Sequence, residues 1–349
     1  MKKIFLLLFL IILCRTSVYA EFDARLDGYD EFNTRTEQLA AGKMPQPSEI
    51  LAGLADALWG EITVSKKILA EILAISAFAG LIGLMQRSGA SEAAYYTCYA
   101  LMSSAVIRLL GESAGYALEV IRSICEFIYV LAPVLLGLMA ASGAITSAAA
   151  FSPVMSGGVY VFSLFVDKFI APAIYLSAIL AIAGNISGRV PLSSLNRLIR
   201  SVIKWVLTAL LTIFTGLCAL YGFNAPILDA VGAKAAKFAI GTLVPVVGGL
   251  LADATDTVIG GTRILKNAVG SAGMLCIISL AAAPVIKLWT ILFMLKLAAA
   301  LSEPVCDRRM CLMLTDAAGA ISMLCSVLLT AVMLFLISIG IMLGATSPG

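Results

Sequence analysis

Beyond residue 66 the chain is a succession of apolar runs: Ile68–Met85, Ala93–Leu110, Phe127–Ile145, Phe151–Val166, Phe169–Ile186, Trp205–Gly222, a long stretch over 271–301, and Ala317–Gly344. Crossing a hydrocarbon layer about 30 Å thick takes roughly 20 apolar residues of helix. Inside that layer every peptide group must find its partner within the protein, which leaves helices or closed barrels. These runs are continuous, with no alternation of apolar and polar residues, so they read as helices. The expected fold is an all-α, polytopic membrane bundle of about eight spans. Composition agrees: 61% of the 349 residues are hydrophobic, mean hydropathy is +1.01, and only 13% are charged, against about 25% in a soluble domain.

The same composition narrows the chemistry. There is no histidine, which removes the commonest general base and metal ligand. The net charge of +3 comes without a basic stretch interleaved with aromatics, so nucleic acid is not an expected partner. No Walker sequence, nucleophile elbow or dinucleotide fingerprint is present. Cys306 and Cys311 flank Asp307, but the spacing is not that of a zinc knuckle and no second pair lies nearby. The expectation is a non-enzymatic protein with no cofactor.

The N-terminus divides into two parts. Lys2 and Lys3, the run Ile4–Leu13 and the small-residue site Val18-Tyr19-Ala20 have the order of a secretory signal peptide cleaved after Ala20. Residues 21–65 are polar and acidic. Asp23, Asp27, Asp30, Glu31, Glu37, Glu49, Asp56 and Glu61 outnumber Arg25, Arg35 and Lys43, which suits an extracytoplasmic segment. Residues 66–349 then form the membrane domain. Arg189, Arg197, Arg200 and Lys204 make the densest cationic connection, and Arg308 with Arg309 a second. The positive-inside rule places both in the cytoplasm and the C-terminus outside.

Residues 223–270 break the pattern. Pro245 and the pair Gly248-Gly249 interrupt an apolar stretch, and Asp253, Asp256, Arg263 and Lys266 follow. Irregular backbone at membrane depth needs protein or a water-filled cavity around it. A broken, re-entrant element near 242–251 fits, with these seven residues as candidates for lining a pore or docking a partner. The bland alternative is an interfacial connector with a solvated charged face. Asp167-Lys168 splits two short runs, which read as two spans or a hairpin. Glu71, Arg108 and Glu126 lie near segment ends, from which long side chains reach the interface. Lys287 and Lys296 interrupt 268–301. Either the chain breaks at Pro284–Lys287, or one lysine lies inside the membrane facing a cavity or a carboxylate.

The stretch Val244-Pro245-Val246-Val247-Gly248-Gly249-Leu250-Leu251-Ala252-Asp253-Ala254-Thr255-Asp256-Thr257-Val258, its continuation Ile264-Leu265-Lys266-Asn267-Ala268-Val269-Gly270, and the later Lys296-Leu297-Ala298-Ala299-Ala300-Leu301-Ser302-Glu303-Pro304 resemble the stage III sporulation protein AE family. The resemblance extends over nearly the whole mature chain and is weakest in the polar N-terminal segment. It implies a subunit of a channel or secretion-like complex between mother cell and forespore, in the mother-cell membrane around the forespore. The partners it implies are an ATPase, ring-forming subunits and small membrane proteins. A secondary transporter of a small solute is the competing reading, because transporters also use broken helices.

Overall fold

A computed structural model describes residues 66, 69–81, 89–186, 193–243 and 248–344. The expected signal peptide with Ala20, the polar segment 21–65 and Pro245 lie outside these residues, as do the side chains of Asp253 and Asp256. The described residues are helical throughout apart from short connections. The helices are α1 (Leu69–Leu81), α2 (Gly89–Ala141), α3 (Ile145–Phe165), α4 (Ala171–Ile186), α5 (Ser193–Leu243), α6 (Gly248–Ser302) and α7 (Arg308–Gly344).

Runs that read as separate spans are fused here. Ala93–Leu110 and Phe127–Ile145 mostly lie on the single helix α2, whose 53 residues extend about 80 Å at 1.5 Å per residue. Asp167-Lys168 marks no reversal. It lies in one turn of π-helix, Val166–Ile170, flanked by residues in ordinary right-handed helical conformation, so α3 passes directly into α4. Pro284 does not interrupt α6, and Pro133, Pro153 and Pro226 also sit within helices. A proline removes one helical hydrogen bond, and the helix persists because exposing more backbone to lipid costs more. The described residues therefore hold five helices long and apolar enough to cross a membrane, with α1 as a shorter apolar helix, and the expected count of about eight is not reproduced. Near 242–251, α5 ends at Leu243 and α6 begins at Gly248. Residues 244–247, where the broken, re-entrant element is expected, lie outside the described residues, and the two flanks are helical.

The α2–α3 reversal takes three residues. The Gly143 amide donates to the Ala140 carbonyl and the Ala144 amide to the Met139 carbonyl, the paired bonds of a Schellman cap. Gly143 has φ of +87°, a conformation that costs a side-chain-bearing residue energy. Ala144 offers α3 no side-chain cap. Asp229 of α5 supplies one: its carboxylate accepts from the Thr146 amide (2.7 Å), the Ser147 amide (2.9 Å) and the Ser147 hydroxyl (2.5 Å). A negative group at a helix N-terminus is favourable electrostatically as well as by hydrogen bonding.

The central helix is α7, buried at intervals from Met310 to Met342 and contacting α2, α4, α5 and α6. Phe335 meets Phe162 of α3 edge to face at 5.9 Å. Without a hydrophobic drive between helices in lipid, close packing depends on small residues. A side chain on Gly158 would occupy the space of the Phe214 ring, and one on Gly273 that of Leu131. Gly158→Leu is expected to wedge α3 from α5 at a cost of about 1–3 kcal/mol, read as a lowered midpoint of thermal unfolding in detergent.

Candidate functional site: charges within the bundle

Side-chain contacts between packed helices fix which residues share a height. Arg200 and Gly222 of α5 meet Asp316 and Ile341 of α7, so these two run parallel. Asn185 and Phe162 of the α4–α3 rod meet Asp316 and Phe335, so that rod runs antiparallel to α7. At one end, Arg200 of α5 reaches α7. Its guanidinium donates to the Asp316 carbonyl (2.5 Å) and approaches the Asp316 carboxylate (3.3 Å), while Asn185 of α4 donates to the same carboxylate (3.2 Å). Both charged side chains are about four-fifths buried. Gly319 makes this approach possible, because a Cβ there would overlap the guanidinium. Beside it Ser177 donates to Asn196 (2.5 Å), and Tyr99 of α2 donates to the Ile182 carbonyl (2.8 Å). Sequence reading counted Arg200 as a loop cation and passed over Asp316 altogether.

The same end holds the turn between α6 and α7. Ser302 donates to Ser76 of α1 (2.9 Å), and the Cys306 thiol donates to the Ser76 carbonyl (3.1 Å). Burial raises the Cys306 pKa above the ordinary thiol value, which keeps it protonated and poorly nucleophilic.

A second set of charges lies farther along. Arg122 of α2 donates two hydrogen bonds to Asp167 in the π turn, at 2.8 and 3.1 Å. The height of this pair follows from its surroundings. Asp167 lies about 7.5 Å along the α3–α4 rod from Phe162, the partner of Phe335, and toward Asn185, the partner of Asp316. It is thus level with the interior of the charge-free run Ala317–Gly344. Yet the pair is open to the surroundings, with the Arg122 side chain 58% and that of Asp167 34% exposed.

Arg122 belongs to a row. Arg108, Glu112, Glu119, Arg122 and Glu126 are all exposed, and their spacing of three, four or seven residues puts them on one face of α2. The row is about 27 Å long, close to the thickness of a hydrocarbon core. Arg108 also approaches Glu71 of α1 at 3.6 Å. Glu112, Glu119 and Arg122 fall between the apolar runs Ala93–Leu110 and Phe127–Ile145. Their common helical face was the signal that could have found them.

The remaining candidates scatter. Arg263 and Lys266 lie on α6, and Lys266 is buried, donating to the Met342 and Leu343 carbonyls at 3.3 and 3.1 Å. It closes the C-terminal turn of α7, where a cation is favoured. Gly248, Gly249, Asp253 and Asp256 fall in the first turns of α6. Lys287 is half-buried with its ammonium 4.8 Å from the Tyr116 ring centre, within reach of a cation–π interaction. Lys296 is exposed. The structure therefore joins Arg108, Glu126 and Asp167 with newly recognised residues, and among the described residues it forms no ion pair between Lys287 or Lys296 and a carboxylate. Lys266→Met is expected to fray the end of α7, at about 1 kcal/mol, read as faster amide exchange near 340–344.

The arrangement places a buried, hydrogen-bonded pair at one end of the bundle and a row of exposed charges level with the charge-free run of α7, which suits a membrane protein that meets water or other proteins within the bilayer. A family model described as stage III sporulation protein AE matches residues 31–346. The chain belongs to the stage III sporulation protein AE family. Stage III sporulation protein AE of Bacillus subtilis (strain 168) is 34% identical over 272 residues, covering 77% of this chain and 68% of that protein. No solved structure matches. As a stage III sporulation protein AE family member, the chain is a sporulation-related, multi-pass membrane protein, and both charge clusters lie within the matched residues.

Proposed function

We propose that this chain is a non-enzymatic membrane subunit of a channel or secretion-like complex linking mother cell and forespore, required for late forespore development. The observation that carries the reading is the exposed charged row of α2 at membrane depth. Charges there are costly against lipid, about 2.5–3.5 kcal/mol each on translocon scales, so this face calls for protein or water to cover it. A subunit of a larger assembly meets that need. Its partners in this reading are an ATPase, ring-forming subunits and other membrane proteins of the stage III complex, and its place is the mother-cell membrane around the forespore. The end bearing Arg197, Arg200, Lys204, Arg308 and Arg309 faces the cytoplasm by the positive-inside rule.

Deleting the gene is expected to abolish heat-resistant spores after engulfment while growth in rich medium stays normal. Normal spore yield would overturn the reading. Reversing the charge at Asp253 or Asp256 is expected to reduce recovery of partner proteins more than recovery of the chain itself, both read by quantitative mass spectrometry after mild-detergent purification. Equal loss of both would reduce that segment to a folding role.

One observation favours secondary transport instead. The π turn at Asp167 is a discontinuity carrying a charge at mid-depth, and such turns recur at functional sites. Solute uptake by proteoliposomes holding this chain alone would select that reading, and inert proteoliposomes the channel subunit.

A further inference from the structure

The charged face of α2 has a composition that specifies what covers it. We infer that it is the docking surface for the same face of a second copy of this chain, packed as a parallel helix pair across Gly111 and Gly115. The inference rests on the membrane-subunit reading and adds the partner.

Three observations converge. First, the face is exposed at the height of the charge-free runs of α5 and α7, where lipid is a poor neighbour for charge. Second, its charges are self-complementary. In a parallel pair of like helices each residue lies near its own counterpart and near residues one turn away on the partner. Arg108 is one turn from Glu112, Arg122 is one turn from both Glu119 and Glu126, and each arginine can reach across to a carboxylate of the other copy. This retains the Arg108–Glu71 and Arg122–Asp167 contacts, since a guanidinium carries five donors.

Third, a helix this close to its neighbour needs a place with no side chain. Gly111 and Gly115 are exposed on this side of α2, and a Cβ at either would meet nothing within 4 Å among the described residues. Each glycine costs a helix interior about 1 kcal/mol relative to alanine, and no packing among the described residues accounts for them. At a spacing of four they form the groove through which two membrane helices approach backbone to backbone. The pair is isologous, so one surface serves both copies.

The test uses the full chain expressed alone in membranes of a host without the sporulation genes. Gly115→Cys is expected to give a covalent dimer on mild oxidation, above the baseline of the wild-type cysteines. Ile213→Cys, equally exposed but on α5, is expected to stay at baseline. Adding Gly111→Leu to Gly115→Cys is expected to reduce the dimer at least tenfold with membrane level unchanged, because a Cβ there meets nothing among the described residues. No dimer at Gly115→Cys, or equal dimer at Ile213→Cys, would overturn the inference. So would a dimer insensitive to Gly111→Leu, or cross-linking that appears only to a different protein in sporulating cells. The deletion phenotype tests the channel reading separately, because cross-linking in this host needs none of its partners.

Discussion

Asp316→Leu is expected to be among the most damaging single substitutions in this protein. It leaves the Arg200 guanidinium, about four-fifths buried, without its carboxylate and leaves the Asn185 amide with the Ala181 carbonyl in place of two acceptors. Removing one partner of a buried ion pair typically costs 3–5 kcal/mol, because the surviving charge remains desolvated. With about a fifth of each side chain still accessible, the lower end, about 3 kcal/mol, is the fitting expectation. The measurement is thermal unfolding in detergent together with the amount of protein in the membrane. The double variant Arg200→Leu/Asp316→Leu is expected to recover much of the loss, since it removes the stranded charge. Additive losses in that cycle would show that the two side chains are not coupled.

Arg122→Glu is the second. It would set a carboxylate against Asp167 at a contact now 2.8 Å long, between Glu119 and Glu126 on the same face. Attraction becomes repulsion where water is scarce, and the helices α2 and α3 separate or one acid takes up a proton. The expected result is sharp loss of membrane-inserted protein and of spores. The exchange Arg122→Glu/Asp167→Arg restores opposite signs and is expected to restore both in large part. An unrescued exchange would mean that Arg122 acts through some group other than Asp167.

The fold class was legible because lipid imposes one rule on every peptide group, and that rule shows in composition and in run length. How runs join was less legible. Arg108 to Glu126 and Asp167-Lys168 looked like connections, since charge commonly marks the ends of spans. Here charges instead mark one face of helices that continue past them, and face is a property of spacing rather than of local hydropathy. Asp316 was hidden for a related reason. A lone acid close to the start of a long span resembles an interfacial residue, and its partner Arg200 lies 116 residues away in another helix. Of the element expected to be broken near 242–251, the described residues show Gly248 and Gly249 within the first turn of α6, and Pro245 lies outside them. That Lys266 caps α7 was not legible, because only tertiary structure brings α6 to that end.

The Gly143 turn gives the molecule a ruler. Arg122 and Asp167 are 45 residues apart with Gly143 near the midpoint, so their meeting is settled by nearly equal counts along two arms from a tight fold in the chain. One residue inserted into the α2 arm between Arg122 and Ala141 would shift the register by 1.5 Å and rotate everything before it by about 100°. The charged face would then turn away from Asp167 without any change in composition or hydropathy. Length variation in this protein is therefore expected to be tolerated outside these arms and excluded within them.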